Sequence, residues 1–118
     1  SGLLADHIRF FAAFDGEEVV GIGAYAHCPA VGDAPGEVWG EVKSMHVLAA
    51  HRGRGIATLV LDTIEATARR HGAQVLRLET SVDFDAAIGL YTRAGFVPRG
   101  PFGDYPDHPL SRFFEKQL

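Results

Sequence analysis

The hydrophobic pattern of the first third of the chain predicts three strands. Residues 8–14 are apolar and aromatic, Asp15-Gly16 follows, and residues 18–27 are rich in Val, Ile and Tyr. An Asp-Gly pair between two such runs is a strong hairpin signal, because it suits the positive φ angles of a type I′ turn. A loop rich in Gly and Pro follows over residues 28–36, and a third strand is predicted over residues 38–48.

The pattern then changes to a helical period. One face of a helix over residues 56–70 carries the apolar side chains of Ile56, Leu59/Val60, Ile64 and Ala68. Gly72 lies where a left-handed C-terminal cap belongs.

The remaining elements are shorter. A strand is predicted over residues 75–80, and Asp83 is expected to cap a second helix over residues 84–94 that Gly95 ends. Another strand begins at Phe96-Val97, and a loop at 100–109 leads to a last strand over residues 111–116. The order β-β-β-α-β-α-β-β predicts a mixed sheet that carries helices, an α+β (α/β layered) fold.

The composition indicates a single globular domain. The chain has 118 residues, of which 47% are hydrophobic, and a mean hydropathy of +0.04; single cores commonly span roughly 100–200 residues. The apolar run from Phe10 to Phe14 is too short to cross a bilayer, and we expect no secretory signal, because no charged segment with a long apolar run precedes it. The single cysteine, Cys28, cannot form an internal disulfide, so we expect a cytoplasmic, reducing location.

The charge pattern argues against nucleic acid as a partner. Fifteen acidic and eleven basic side chains give a formal charge of −4. The acids dominate residues 10–42, whereas five arginines lie within residues 51–77. These two regions suit a cation and a polyanion respectively, or are ordinary solvated surfaces. The six histidines and Cys28 have no zinc-like spacing, so we predict no metal site.

The segment that indicates chemistry lies between the third strand and the first helix. Gly53 and Gly55 alternate there with Arg52 and Arg54. Such a turn lets backbone N–H groups converge on an anion at the positive end of the helix dipole, although a tight turn with surface arginines is the alternative. A second glycine pair, in Gly21-Ile22-Gly23, fits a loose dinucleotide pattern, but no helix follows it.

Two motifs resemble one known family. Arg52-x-x-Gly55-x-Ala57, between a strand and an amphipathic helix, resembles the pyrophosphate signature of the GNAT superfamily of acetyl-CoA-dependent N-acetyltransferases. The second motif, Ala-Ile-Gly-Leu-Tyr-Thr-Arg-Ala-Gly-Phe at residues 87–96, resembles the family's later helix with its Tyr and Gly-Phe pair. The resemblance covers residues 8–118. It implies a mixed, mainly antiparallel sheet, and acetyl transfer from acetyl-CoA to an amine of a small molecule or peptide by direct attack in a ternary complex.

The resemblance also implies where acetyl-CoA binds. Two parallel strands, here 38–48 and 75–80, splay apart, and the pantetheine arm pairs with the exposed backbone of Met45, His46 and Val47. The N–H of Val47 then supports the oxyanion. The residues expected to hold the pyrophosphate are Arg52, Gly53, Arg54, Gly55, Ile56, Ala57 and Thr58.

Two residues are expected to move protons. Tyr91 matches the family's general acid for the departing thiolate, and a packed core aromatic is the alternative. Glu41, on the strand that carries Val47, is the first choice of general base, with Glu37 and His46 as weaker candidates. If Glu41 faces solvent, it is simply an exposed strand residue.

The acceptor side is less defined by the sequence. The loop at 100–109 lies where the family builds acceptor specificity, so Asp104, Tyr105 and Asp107 are candidates to receive a cationic amine, and a Pro-stiffened turn is the alternative. The family's N-terminal strand and two helices have no counterpart before the hairpin, which predicts an N-terminally truncated domain. A homodimer that covers an exposed apolar face is consistent with this. A catalytically idle acyl-CoA sensor or regulatory module is the competing function.

Overall fold

The computed structural model describes residues 7–27, 36–103 and 105–118. The strands are β1 (Ile8–Asp15), β2 (Glu18–His27), β3 (Trp39–Val47), β4 (Val75–Ser81), β5 (Val97–Arg99) and β6 (Ser111–Gln117), and the helices are α1 (Ile56–Arg70) and α2 (Asp85–Arg93). A single 3-10 turn, Ala49–His51, follows β3. The predicted order of elements is therefore confirmed.

The described strands form one sheet in the order β1-β2-β3-β4-β6-β5. Only the β3–β4 pair is parallel, and the other four pairs are antiparallel. This is the mixed, mainly antiparallel sheet that the resemblance implied. The parallel pair needs a crossover connection, which α1 supplies.

Two local predictions about turns and caps are wrong. Asp15 pairs with Glu18, so Gly16 and Glu17 form the hairpin turn, and only Gly16 has a positive φ, of 64°. A type I′ turn needs two positive φ angles, so this turn follows the II′ pattern, with glycine first. Asp83 does not cap α2, because the helix begins two residues later, after Phe84, and has no side-chain cap.

The main core lies between one face of the sheet and both helices. Val60, Leu61, Ile64 and Ala68 of α1 are buried there, whereas Leu59 is exposed. Glycine makes this contact close: a Cβ on Gly23 would lie 2.6 Å from Val60 Cγ1. A glycine pair with a dinucleotide-like spacing thus serves helix packing.

A smaller second core covers the opposite face of the sheet. We call Trp39, Val75, Phe102 and Phe113, with Tyr105 packed against them, the second core. Its aromatic rings meet edge to face, with Trp39 and Phe102 centroids 5.5 Å apart. Phe102 anchors the loop that precedes β6 and thereby places Tyr105 at the sheet.

A buried arginine crosslinks this second face. Nη1 and Nη2 of Arg77 donate to the two carboxylate oxygens of Glu37 at 2.7 and 3.0 Å, and Nε donates to Glu115 at 3.1 Å. The guanidinium also stacks 5.1 Å from the Trp39 ring centroid. Bidentate pairing of this kind is the strong form of ion pair and is specific in geometry.

We expect Arg77→Ala to lower the free energy of unfolding by about 3–5 kcal/mol, because it takes the buried cation away from Glu37 and leaves Glu115 with Arg99 alone of its two arginine partners. Urea denaturation measures this loss. Arg69→Ala is the control, since Arg69 is half exposed and pairs with Glu65 only along the surface of α1; its loss should stay below about 0.5 kcal/mol. Equal losses for the two variants would contradict a structural role for the Arg77 network.

One apolar patch of the sheet remains uncovered in the described part of the chain. Phe10 and Ile22 lie on the face of the β1–β2 hairpin opposite α1, with relative exposures of 62% and 41%. Phe14 is equally exposed at the end of β1. The homodimer expected from such a face stays a prediction.

Candidate active site

The site begins where the parallel strands separate. β3 and β4 are paired only from Trp39 with Val75 to Glu41 with Arg77, while β4 stays paired with β6 to its end at Ser81. Residues 42–47 of β3 therefore present an unpaired edge towards β4, as the resemblance implied. An unpaired strand edge can accept an extended ligand as an additional strand.

A β-bulge coincides with this separation. Ala24 pairs with Lys43 and Ile22 pairs with His46, so Ser44 and Met45 together oppose the single residue Gly23. Ser44 has a φ of 59°, the only positive value at a non-glycine residue in the described chain. A bulge bends its strand and increases its twist, and this one lies in the segment of β3 that no longer pairs with β4. The sequence contains no recognisable signal for this bulge.

The separation opens a cleft through the sheet. The cleft has a volume of about 1250 Å³, above the roughly 300–1,000 Å³ of ordinary small-ligand pockets. Tyr91 and Leu90 line it on the side of the helices, and Glu41, Lys43 and Tyr105 line it on the side of the second core. A long ligand can thus reach the gap from one face while a second substrate approaches from the other.

The loop before α1 offers a group of uncommitted amides. Gly53 and Gly55 both adopt left-handed conformations, with φ of 78° and 80°. Within the described chain, no backbone acceptor is hydrogen-bonded to the N–H groups of residues 53–58, and α1 has neither a side-chain cap nor an acidic residue in its first turn. Successive uncommitted donors at the positive end of a helix dipole are suited to bind an anion.

The two arginines of this loop differ in placement. Arg52 lines the cleft, and its Nε donates to the carbonyl oxygen of Val47 at 3.2 Å. Arg54 does not line the cleft: its Nη1 lies 2.7 Å from His51 Nδ1 and 3.6 Å from Asp15 Oδ2. The structure thus brings Arg52, and not Arg54, to the expected phosphate site.

The backbone at the end of β3 points its donors in alternate directions. The N–H of Leu48 donates to the carbonyl of Val20 in β2. Successive N–H groups of a strand point to opposite sides, so the N–H of Val47 is directed towards the cleft. Met45, His46 and Val47 all line the cleft, as expected for a segment that pairs with an extended ligand.

Tyr91 is a buried phenol at the cleft wall. Burial raises its pKa to about 12, and its ring packs edge to face on Phe96 at 5.7 Å. Its hydroxyl makes no hydrogen bond to any residue that the structure describes. The hydroxyl is therefore both neutral and available to a ligand atom.

Glu41 is buried and faces the cleft, so it is not an exposed strand residue. It is 4% exposed, and Oε2 accepts a hydrogen bond of 2.5 Å from the Tyr105 hydroxyl. The ammonium of Lys43 lies 3.6 Å from the same oxygen. A carboxylate at the wall of a substrate cleft is within the reach that a general base requires.

The alternative bases are placed differently. Glu37 is held by both terminal nitrogens of Arg77 and does not line the cleft, so it is not available as a base. His46 is exposed and lines the cleft. The buried salt bridge that excludes Glu37 as a general base joins two residues 40 positions apart in the chain. Local sequence patterns do not indicate such a pair.

The three residues expected to contact the acceptor amine also differ in whether they line the cleft. Tyr105 lines the cleft, Asp107 is exposed and does not, and Asp104 lies outside the described residues. Sequence reasoning missed Lys43 and Glu79, which also line the cleft. Lys43 could have been found, because it lies two residues after Glu41 and side chains on a strand repeat with that period.

The part of the chain that the structure describes holds no cluster of three His, Cys, Asp or Glu side chains arranged to bind a metal ion. Neither described helix is long and apolar enough to cross a bilayer.

A sequence profile with the description "Acetyltransferase (GNAT) family" matches residues 3–96. The chain belongs to this family. Its fold, as a six-stranded mixed sheet with two packed helices, is the GNAT fold, and acetyl-CoA is the co-substrate of its acetyl transfer.

This chain is similar in sequence and in structure to other proteins that are named as acetyltransferases or acyltransferases. The chain is 45% identical over 111 residues to the IAA acetyltransferase of Azospirillum brasilense, covering 94% of this chain and 69% of the relative. It is 36% identical over 118 residues to the uncharacterised N-acetyltransferase YsnE of Bacillus subtilis, covering 98% and 74%. A crystal structure from Klebsiella pneumoniae, assigned as an acyl-CoA N-acyltransferase, matches with a TM-score of 0.85 and 35% identity over 99% of this chain and 77% of that one.

Proposed function

We propose that this GNAT acetyltransferase transfers the acetyl group to an amine of a small molecule or peptide by direct attack, with both substrates bound in the cleft. The observation that carries the proposal is the cleft through the sheet, with free amides and Tyr91 on one side and Glu41 on the other. Two faces of access suit a ternary complex, because neither substrate has to leave before the other enters.

The binding half of the proposal rests on backbone groups. The N–H groups of residues 53–58 and the Arg52 guanidinium are suited to hold the pyrophosphate, and the unpaired edge at Met45, His46 and Val47 is suited to pair with the pantetheine arm. The side chains of Ile56, Ala57 and Thr58 lie at the same wall. Glycine at 53 and 55 keeps side chains away from the phosphate oxygens.

The chemical half requires two proton transfers. The amine nitrogen attacks the thioester carbon and its proton passes to Glu41, while the N–H of Val47 stabilises the oxyanion. When the carbon–sulfur bond breaks, the Tyr91 hydroxyl supplies the proton to the departing thiolate. The products are an N-acetylated amine and CoA, and both side chains recover their protonation states from solvent.

The first experiment separates cofactor binding from turnover. Calorimetry with acetyl-CoA is followed by an amine panel of alkylamines, polyamines, amino acids and short peptides, in which the release of free CoA is measured. Acetyl-CoA binding with amine-dependent release supports the proposal. Tight binding without release for any amine would favour a regulatory acyl-CoA-binding module instead.

The arginine pair tests the location of the phosphate site. We expect Arg52→Ala to raise the Kd for acetyl-CoA about tenfold, because a guanidinium on a phosphate is a strong charge-assisted donor. Arg54→Ala is the matched control and should change the Kd less than about threefold, since Arg54 already pairs with His51 and Asp15. Calorimetry at fixed salt measures both, and a larger effect of Arg54→Ala would contradict this placement.

A further inference from the structure

The ring and the backbone of Tyr105 are both held in place by residues of the second core. Its ring centroid lies 5.3 Å from that of Phe102 and 5.8 Å from that of Phe113, and its N–H donates to the carbonyl of Phe102 at 3.2 Å. Phe102 is itself buried in the second core. The ring is thus fixed by packing that is independent of any substrate, which pre-organises the hydroxyl.

The hydroxyl of Tyr105 is directed at one oxygen of Glu41. It donates to Oε2, and the Lys43 ammonium, 3.6 Å from Oε2, also lies 5.9 Å from the Tyr105 ring centroid. Neither contact uses Oε1 of Glu41. The two carboxylate oxygens therefore differ: Oε2 has both polar contacts, whereas Oε1 has no hydrogen-bond partner among the described residues and is not sealed from solvent.

We propose that Tyr105 is a positioning residue for acetyl transfer: by fixing Oε2 of Glu41 it leaves Oε1 as the oxygen that takes the proton of the acceptor amine. The inference rests on the proposed function, in which Glu41 is the general base. It gives Tyr105 a role that differs from contact with the acceptor. A general base needs both reach and orientation, and orientation is what a fixed donor supplies.

The charges around Glu41 are consistent with this role. On β4 its register partner Arg77 is already engaged by Glu37 and Glu115, and Glu79 accepts a hydrogen bond from Ser111. On β2 its register partner Ala26 carries no charge. Among the residues that the structure describes, Lys43 and the Tyr105 hydroxyl are thus the groups that contact Oε2. Burial first, and then the hydrogen bond to Glu41, raise the pKa of Tyr105 above its usual range, so the phenol remains a donor throughout an assay.

The test is the pH profile of Tyr105→Phe, which keeps the ring and removes the donor. With the most active amine of the panel, we expect kcat to fall about tenfold and the acidic limb of the kcat profile to move up by about one pH unit. The limb moves upward because losing a donor to a carboxylate favours its protonated form. The KM for the amine should change less than about threefold.

Tyr25→Phe is the matched control. Its hydroxyl makes a hydrogen bond of the same length, 2.5 Å, to His27 Nδ1, and Tyr25 does not line the cleft. The control should leave the pH profile in place. Because Lys43 is partly exposed, Lys43→Met is a second variant that should fold and move the acidic limb in the same direction.

The outcomes are distinguishable. A raised KM with an unmoved acidic limb would make Tyr105 an acceptor contact and overturn the inference, as would unchanged kinetics. If Glu41→Gln itself retains both rate and acidic limb, the proposed base fails, whatever Tyr105 does. Thermal unfolding and the Kd for acetyl-CoA, measured for each variant, identify any loss that is due to misfolding.

Discussion

Glu41→Gln should lower kcat/KM for the amine by about 10²–10⁴-fold, the range that a general base contributes. Glutamine has nearly the same shape and can still accept the Tyr105 hydrogen bond, but it cannot take a proton at neutral pH. An amine is mostly protonated at neutral pH, with a pKa of about 10.4 for a lysine-like group, and needs to lose a proton before or during attack. Steady-state kinetics over the pH range measures the effect.

The same variant carries an internal comparison. The Kd for acetyl-CoA should stay near the wild-type value, because Glu41 lies on the acceptor side of the cleft. With an amine that is already neutral at the assay pH, kcat/KM should fall less. Glu17→Gln, at the exposed hairpin turn, is the control for removing one negative charge. A Glu41→Gln enzyme within about threefold of wild type would remove Glu41 from the mechanism.

Tyr91→Phe should lower kcat by about 10²-fold and leave the Kd for acetyl-CoA within about twofold. The ring packing on Phe96 is kept, and only the hydroxyl is lost. With a pKa of about 12, the phenol is a weak acid towards a thiol with a pKa of about 8.5 in water. Desolvation in the same cleft also raises the pKa of the departing thiolate, which reduces this mismatch.

Two measurements define the role of Tyr91. Because its pKa is raised, the phenol stays protonated and the wild-type rate should show no loss from Tyr91 between pH 7 and 10. An acetyl thioester with a more acidic thiol needs less proton donation, so it should partly rescue Tyr91→Phe. If Tyr91→Phe leaves kcat unchanged, or if it abolishes the binding of acetyl-CoA, Tyr91 serves in packing alone and is not the general acid.

Much of the fold could be predicted because its signals are local. The Val, Ile and Tyr content of residues 18–27, the helical period of α1 and the glycine at 72 are each signals carried by a few neighbouring residues. The error at Asp83 also has a local cause. Asp83 is a good capping residue, but α2 begins only at Asp85, after a turn in which the N–H of Asp83 bonds to Ser81 Oγ. Leu59 and Val60 are equivalent in sequence, and only the direction from which β2 packs selects Val60.

The candidate site was predictable where backbone chemistry defines it. A Gly-x-Gly turn before a helix offers free amides because no preceding helical turn accepts from them, so the candidate phosphate loop could be proposed from residues 52–58 alone. The bulge at Ser44 was not predictable, because the local sequence there does not differ from that of a regular strand. The sequence also did not predict that Arg52 lines the cleft and Arg54 does not. This difference depends on the β1–β2 hairpin, which brings Asp15 to the loop to pair with Arg54.

The chain's short-range patterns were sufficient for the element order, for the glycine turn before α1 and for the family. Only the folded molecule shows the cleft through the sheet and the contact between Tyr105 and Glu41. It also shows that Arg77 binds the Glu37 carboxylate, which makes Glu37 unavailable as a general base. The physical reason is distance along the chain: Tyr105 and Glu41 are 64 positions apart, so their hydrogen bond depends on strand order and on the packing of Phe102. Periodicity and turn chemistry act over a few residues and carry no information about such pairs.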